Sequence, residues 1–362
     1  MFAALSVLLL SATGVQAATS VVQWEWSPDS NVSSQSVACD LTINQMFDPD
    51  SLDPGELYKP AFWLHGGAWV RSTVGSPGHP DIQVLLDNGY MVFSAEYRVV
   101  ETETDAEHHC PKVKRAELEK DVLQAFSNAI FLVHWSLRDQ VDVGHGFLLT
   151  GESSGGHMVA WLNRHAPDWV KNNIRAVVPI NSPLSFVHSW WLLNGHTPVD
   201  YRLPRQMQFG THTFNLDASE ALSVLLLQDY ANDKGVDDCE VVYGSPPTLV
   251  GSDCYHVRSD PEFYSFIGEN TFLWYSGQAA PLYMVMSELD FVIAPEPAVE
   301  VCKWYGALQN FETTGVEGDR LFTAECGTTL NRIAIIEGGL HHDYNRAFWD
   351  KVLAWAESPA LD

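Results

Sequence analysis

The chain has 362 residues, 46% of them hydrophobic, with 46 acidic against 20 basic side chains and a formal net charge of -26. That length supplies one large core or two modest ones. The charge argues against nucleic acid as a partner, because phosphate contacts need clustered Lys and Arg.

The acidic residues are dispersed over 48–56, 101–107 and 237–240, as expected of a surface kept soluble in a saline or acidic medium. Residues 1–17 read as a secretory signal: an apolar run over 3–10, no acidic residue, and a Val15-Gln16-Ala17 end suited to cleavage. No later apolar run has the ~18 residues of a membrane span. The expectation is a soluble protein outside the cytosol, spanning 18–362, of undetermined oligomeric state. Cysteine usage fits that compartment. Six are present, Cys39, Cys110, Cys239, Cys254, Cys302 and Cys326, enough for three disulfides. Pairing of sequence neighbours would join Cys239 with Cys254 and Cys302 with Cys326, leaving Cys39 for Cys110. Asn31-Val32-Ser33 is a glycosylation sequon.

In chain order, 21–26 and 36–47 predict two early strands, and 48–55 a turn-rich linker. A short apolar strand over 61–64 runs into His65-Gly66-Gly67-Ala68-Trp69. A helix is predicted over 81–88 and a buried strand over 90–97. Residues 117–137 have helical apolar spacing (Leu118, Val122, Ala125, Phe126, Ala129). Strands follow at 147–150, 174–180, 281–286 and 332–336. Helices follow at 157–163, 297–308 and 345–356. Strands alternating with helices predict an α/β fold with a mostly parallel central sheet and helices on both faces. The stretch 183–277 interrupts that alternation and reads as an inserted cap. Its Trp190-Trp191-Leu192-Leu193 segment suits the cap's own core, or else an acyl pocket or lipid surface.

The chemistry centres on Gly151-Glu152-Ser153-Ser154-Gly155, which lies between a strand and a helix. This is the setting of a nucleophile elbow: a strained turn with positive φ lifts the serine hydroxyl clear of the sheet. Side chains at 151 or 155 would collide with the neighbouring strand or helix, hence Gly. A serine hydroxyl needs a base to take its proton and an acid to orient that base. On such a sheet the chain order is Ser, acid, His, each after a strand. Asp290 follows the 281–286 strand, and His341-His342 follow the last one. The tetrahedral intermediate also needs backbone donors for its oxyanion. The amides of Gly66, Gly67 and Ser154 fit that task. His108-His109-Cys110 does not predict a metal site, because adjacent residues do not easily converge on one ion. No metal and no cofactor are expected.

These motifs together resemble the esterase/lipase group of α/β-hydrolases with a His-Gly-Gly oxyanion loop, hormone-sensitive-lipase-like and carboxylesterase-like. The resemblance rests on His65-Gly66-Gly67-Ala68-Trp69, Gly151 to Gly156, Asp290, His342 and Glu96-Tyr97-Arg98. It covers roughly residues 41–355 outside the cap. The resemblance implies an α/β-hydrolase fold and a Ser153, Asp290, His342 triad acting on small-molecule or lipid esters. It selects His342 over His341 because an acidic residue and then an aromatic, Asp343-Tyr344, follow it. Amide hydrolysis (formamidase-like) and acyl transfer share the same machinery. A non-catalytic binding module is the remaining alternative, opposed by the intact triad residues.

Overall fold

In the computed structural model the described residues are 19–26, 41–69, 74–99, 110, 113, 115–184, 205–216, 240–242, 248–250, 280–290, 293, 295–341 and 347–361. Among them, ten strands form one sheet. The strands are β1 (Ser20–Trp26), β2 (Leu41–Phe47), β3 (Lys59–Leu64), β4 (Tyr90–Ala95), β5 (Phe147–Glu152) and β6 (Ile174–Ile180). After a hairpin of β7 (Arg205–Phe209) with β8 (His212–Leu216) and a short pair of β9 (Glu240–Val242) with β10 (Thr248–Val250), the sheet resumes. It continues with β11 (Tyr283–Ser287), β12 (Leu308–Thr314), β13 (Leu321–Cys326) and β14 (Arg332–Ile336). The spatial order is β1-β2-β4-β3-β5-β6-β11-β14-β13-β12. The stretch from β4 to β14 is parallel throughout. The flanking strands at both edges are antiparallel.

Among the described residues the helices are α1 (Pro80–Asp87), α2 (Arg115–Phe131), α3 (Ser153–His165), α4 (Asp168–Lys171), α5 (Glu296–Tyr305) and α6 (Ala347–Ala356). Alternation along the parallel strands divides the core in two, because successive side chains of a strand face opposite ways. Phe62, Leu64, Phe147, Leu149, Met284, Met286, Ile333 and Ile335 face one side and meet the apolar stripes of α2, α3 and α5. Ala61, Trp63, Leu148, Val178, Val285 and Ile336 face the other side, against α1 and α6. Strands buried on both faces read as continuous apolar runs, which is the pattern at 61–64 and 147–149. All the parallel strands therefore end at one edge of the sheet, where ligands of such sheets bind.

Several expectations are refined. Helix α3 begins at Ser153, not His157, and α2 is followed by a π turn over Leu132–Ser136 inside the predicted 117–137 helix. The helix expected to reach residue 308 stops at Tyr305, since Gly306 takes φ 142 and breaks the repeat. Strands β12 and β13 were not expected; β12 is half-exposed to exposed along its length and carries no apolar period. Within 183–277, the β7–β8 hairpin buries Met207, Phe209, Phe214 and Leu216 in the same core as Phe322 of β13. Trp190 to Leu193 lie outside the described residues. So do residues 1–17, Asn31, and the expected bridges' Cys39, Cys239 and Cys254. Cys302 and Cys326 are joined as a disulfide, matching the expectation, and Cys110 is also disulfide-bonded. Among the described residues no helix is long and apolar enough to cross a membrane.

Candidate active site

Four residues of the candidate site lie just past the carboxyl ends of parallel strands. His65 follows β3, Ser153 follows β5, Asp290 follows β11 and His341 follows β14. The sheet thus gathers segments separated by up to about 275 residues along one edge.

Ser153 takes φ 51, the left-handed region, at the junction of β5 and α3. The chain turns there so tightly that its neighbours have no room for a side chain. A Cβ on Gly155 would stand 2.3 Å from the Leu64 carbonyl oxygen and 2.4 Å from that of His65. One on Gly151 would stand 2.6 Å from the same Leu64 oxygen. Both obstacles are backbone of β3 and its exit, so neither can swing aside. Helix α3 runs thirteen residues from Ser153, and its positive end faces the turn.

The loop after β3 lies against this elbow. A Cβ on Gly66 would sit 3.1 Å from the Ser153 Cβ, so Gly66 backbone is in contact range of Ser153. The loop turns through three consecutive left-handed residues, Gly67 (φ 127), Ala68 (φ 54) and Trp69 (φ 65). Two of them are not glycine, a conformation that costs of order 1–3 kcal/mol each and persists only when the surroundings impose it. The imposing contacts are visible. Trp69 is fully buried and meets His157 of α3 edge to face at 5.6 Å. His65 is buried, stacks on Tyr97 at 4.4 Å, and its carbonyl accepts from the Tyr97 hydroxyl at 3.1 Å. Tyr97 is in turn flanked by Arg98, which grips Asp121 of α2 through Nε and Nη2, both at 2.7 Å.

His65 Nδ1 lies 2.6 Å from the Gly66 carbonyl oxygen. A carbonyl only accepts, so Nδ1 carries the proton and donates. The peptide is planar and trans, so fixing the Gly66 carbonyl also fixes the Gly67 N–H, which points the opposite way. Burial drives the His65 imidazole down to about 4, opposed by its bond to Gly66 and the charge of Glu152. It is therefore a neutral strut near pH 7.

Asp290 and His341 are hydrogen-bonded, Oδ2 to Nδ1 at 2.7 Å, both buried. The other carboxylate oxygen accepts from Ile293 N–H at 2.9 Å, so both oxygens are engaged. The carboxylate accepts from Nδ1–H, which leaves Nε2 as the basic nitrogen of the ring. Sequence pointed to His342; the imidazole on Asp290 is that of His341, one residue earlier, and His342 lies outside the described residues. What presents residue 341 is a set of cross-loop bonds that motif spacing does not encode. Leu289 N–H donates to the Gly339 carbonyl at 2.9 Å, and Glu288 Oε2 accepts from Gly338 N–H at 2.9 Å. Gly338, at φ 68, makes the turn that brings the two loops together.

Near the elbow, His79, Asp81 and Glu152 bring ligand-type atoms within 4.8 Å of one another. His79 Nε2 is 4.0 Å from Glu152 Oε1, its ring packs on Trp63 at 4.7 Å, and Asp81 Oδ1 accepts from Trp349 Nε1 at 2.8 Å. A tetrahedral zinc holds its ligand atoms closer, about 3.5 Å apart. The group reads as side chains packed on the elbow's flank, with Asp81 held by Trp349 and His79 lying against Trp63. His108 and His109 lie outside the described residues.

No family model matches the chain. Over 151 residues it is 23% identical to the non-reducing polyketide synthase ausA of Emericella nidulans, a match covering 40% of this chain and 6% of that one. The chain thus spans a small fraction of that relative's length. Solved structures are similar over far more of it. The acetyl xylan esterase from Paenibacillus sp. R4 superposes with TM-score 0.55 at 12% identity, covering 98% of this chain and 88% of the other. Brefeldin A esterase, a bacterial homologue of human hormone sensitive lipase, gives 0.51 at 12%, with 96% and 78% covered. Esterase Est22 gives 0.51 at 11%, with 94% and 82% covered. The chain has the α/β-hydrolase fold, as the motifs implied.

Proposed function

We propose that the protein is a secreted serine hydrolase that cleaves carboxylic esters through an acyl-enzyme. The observation that carries this is the buried 2.7 Å Asp290–His341 pair at the same sheet edge as the left-handed elbow of Ser153. The solved structures of like fold are named as esterases, which agrees. In this reading Ser153 Oγ attacks the acyl carbon and His341 Nε2 takes its proton. His341, not His342, is the base, and Asp290 stabilises the imidazolium that forms. The amides of Gly66, Gly67 and Ser154 meet the developing oxyanion, assisted by the α3 terminus. The imidazolium then protonates the leaving alcohol. Water, deprotonated by the same ring, releases the acid.

Export is part of the proposal. It rests on the apolar 1–17 segment and on the Cys302–Cys326 disulfide, which suits an oxidising compartment. The test is the S153A variant with a p-nitrophenyl ester panel of short and long acyl chains. The expected loss in kcat is at least about 10⁴-fold, together with loss of fluorophosphonate labelling. Hydrolysis at the native rate in S153A would remove Ser153 from the mechanism. Amide and acyl-transfer substrates in the same panel decide between ester cleavage and its neighbours on this fold.

A further inference from the structure

We infer that Asn181 is a positioning residue for the general base, holding the His341 loop from the tip of β6. The inference rests on the roles proposed above for Ser153, His341 and Asp290. Asn181 is the first residue past β6, the strand between the nucleophile's β5 and Asp290's β11. It adopts φ 43, a left-handed conformation that Asn tolerates better than most non-glycine residues. Its backbone N–H donates to the Val285 carbonyl of β11 at 2.7 Å, which registers the turn on the neighbouring strand.

The side chain, 2% exposed, reaches the other catalytic loop. Nδ2 donates to the His341 carbonyl at 2.8 Å, across 160 residues of sequence. The accepting carbonyl sets the amide's orientation, with NH₂ toward His341. The Asn181 bond grips the backbone from which the imidazole hangs, while Asp290 grips the ring. Two fixed points define where Nε2 aims; one leaves the ring free to pivot. The next residue packs against the helix that begins at the nucleophile. Ser182 Oγ occupies the space where a Cβ on Gly156 would fall, 1.8 Å away, so this turn also abuts α3. Among side chains that accept this backbone, Asn supplies a neutral donor. Gly supplies none, and Asp would set a carboxylate against the carbonyl.

The test uses the full-length protein and p-nitrophenyl acetate. N181G keeps the left-handed turn and deletes the donor; N181D keeps the size and replaces the donor with an acceptor. Each is expected to lower kcat about tenfold with KM within about twofold, as loss of one buried hydrogen bond acting on the base predicts. In a D290N background the ring has already lost its orientation, so N181G should add less than about twofold. Native kcat in both variants would overturn the role. So would a loss confined to KM, or a tenfold loss that persists in D290N. If N181G does not fold, N181D decides on the same readouts. If neither folds, the bond serves stability and the role falls. S153A run in parallel separates the two claims. Hydrolysis surviving in S153A removes the reading on which the role rests. An inert S153A beside fully active Asn181 variants removes the positioning role alone.

Discussion

The two halves of the candidate site are built by different means. On the nucleophile side, backbone sterics dominate: Ser153 is forced into its turn because β3 backbone stands within 2.3–2.6 Å of any Cβ at 155 or 151. On the side of Asp290 and His341 the steric limit is milder: a Cβ on Gly338 would meet the Gly318 carbonyl oxygen at 2.9 Å. Two loops 51 residues apart are stitched by the Leu289–Gly339 and Glu288–Gly338 bonds, and Asp290 meets His341 as a result. Steric construction leaves its mark in residue type, since only Gly fits. Construction by hydrogen bonds between distant loops leaves little beyond the turn glycine at 338.

If that contrast is right, the two halves should fail differently. The largest effect should come from G155A, which drives a methyl into fixed backbone. We expect a loss of more than about 4 kcal/mol of stability, with little folded protein by circular dichroism. Native-like melting of G155A would show that the wall can move. A smaller effect comes from His65, the strut under the loop that follows β3. It is neutral when folded, with its proton affinity lowered to about 4, and ordinary, near 6.5, when unfolded. The unfolded state therefore binds more protons between those values, so stability is full above about pH 6.5 and falls as pH drops toward 4. Urea titrations at pH 6.5, 5 and 4 should show the native protein losing about 3 kcal/mol more than H65N over that window. Equal losses would place the imidazole outside the buried strut. The smallest effect is expected from E288Q, which weakens one of the cross-loop bonds. It should cost about 1 kcal/mol of stability and less than about tenfold in kcat, with KM unchanged. An E288Q enzyme inactive yet fully folded would mean that the acid–base side is as unforgiving as the elbow.

The same contrast explains what was legible. The parallel sheet was readable because strands covered on both faces show as unbroken apolar runs, as at 61–64 and 176–180. The elbow was readable from Gly151 and Gly155. Strand β12 was not, because its side chains range from half-buried to exposed and follow no period. The start of α3 was hidden by Ser-Ser-Gly-Gly, poor helix formers that the elbow nonetheless forces into a first turn. That Asp290 stands after a strand could be read. Which of two adjacent histidines its carboxylate meets could not, because bonds of Leu289, Glu288 and Asn181 present residue 341, and none of these has a local sequence signature. The left-handed Ala68 and Trp69 were equally hidden, being imposed by burial of Trp69 against α3.

The direct measurement is kcat for p-nitrophenyl acetate in H341A and H342A, with both variants shown to be folded. The account predicts that H341A loses at least about 10³-fold while H342A stays within about tenfold of the native enzyme. An H342A enzyme that is inert beside a working H341A would contradict it.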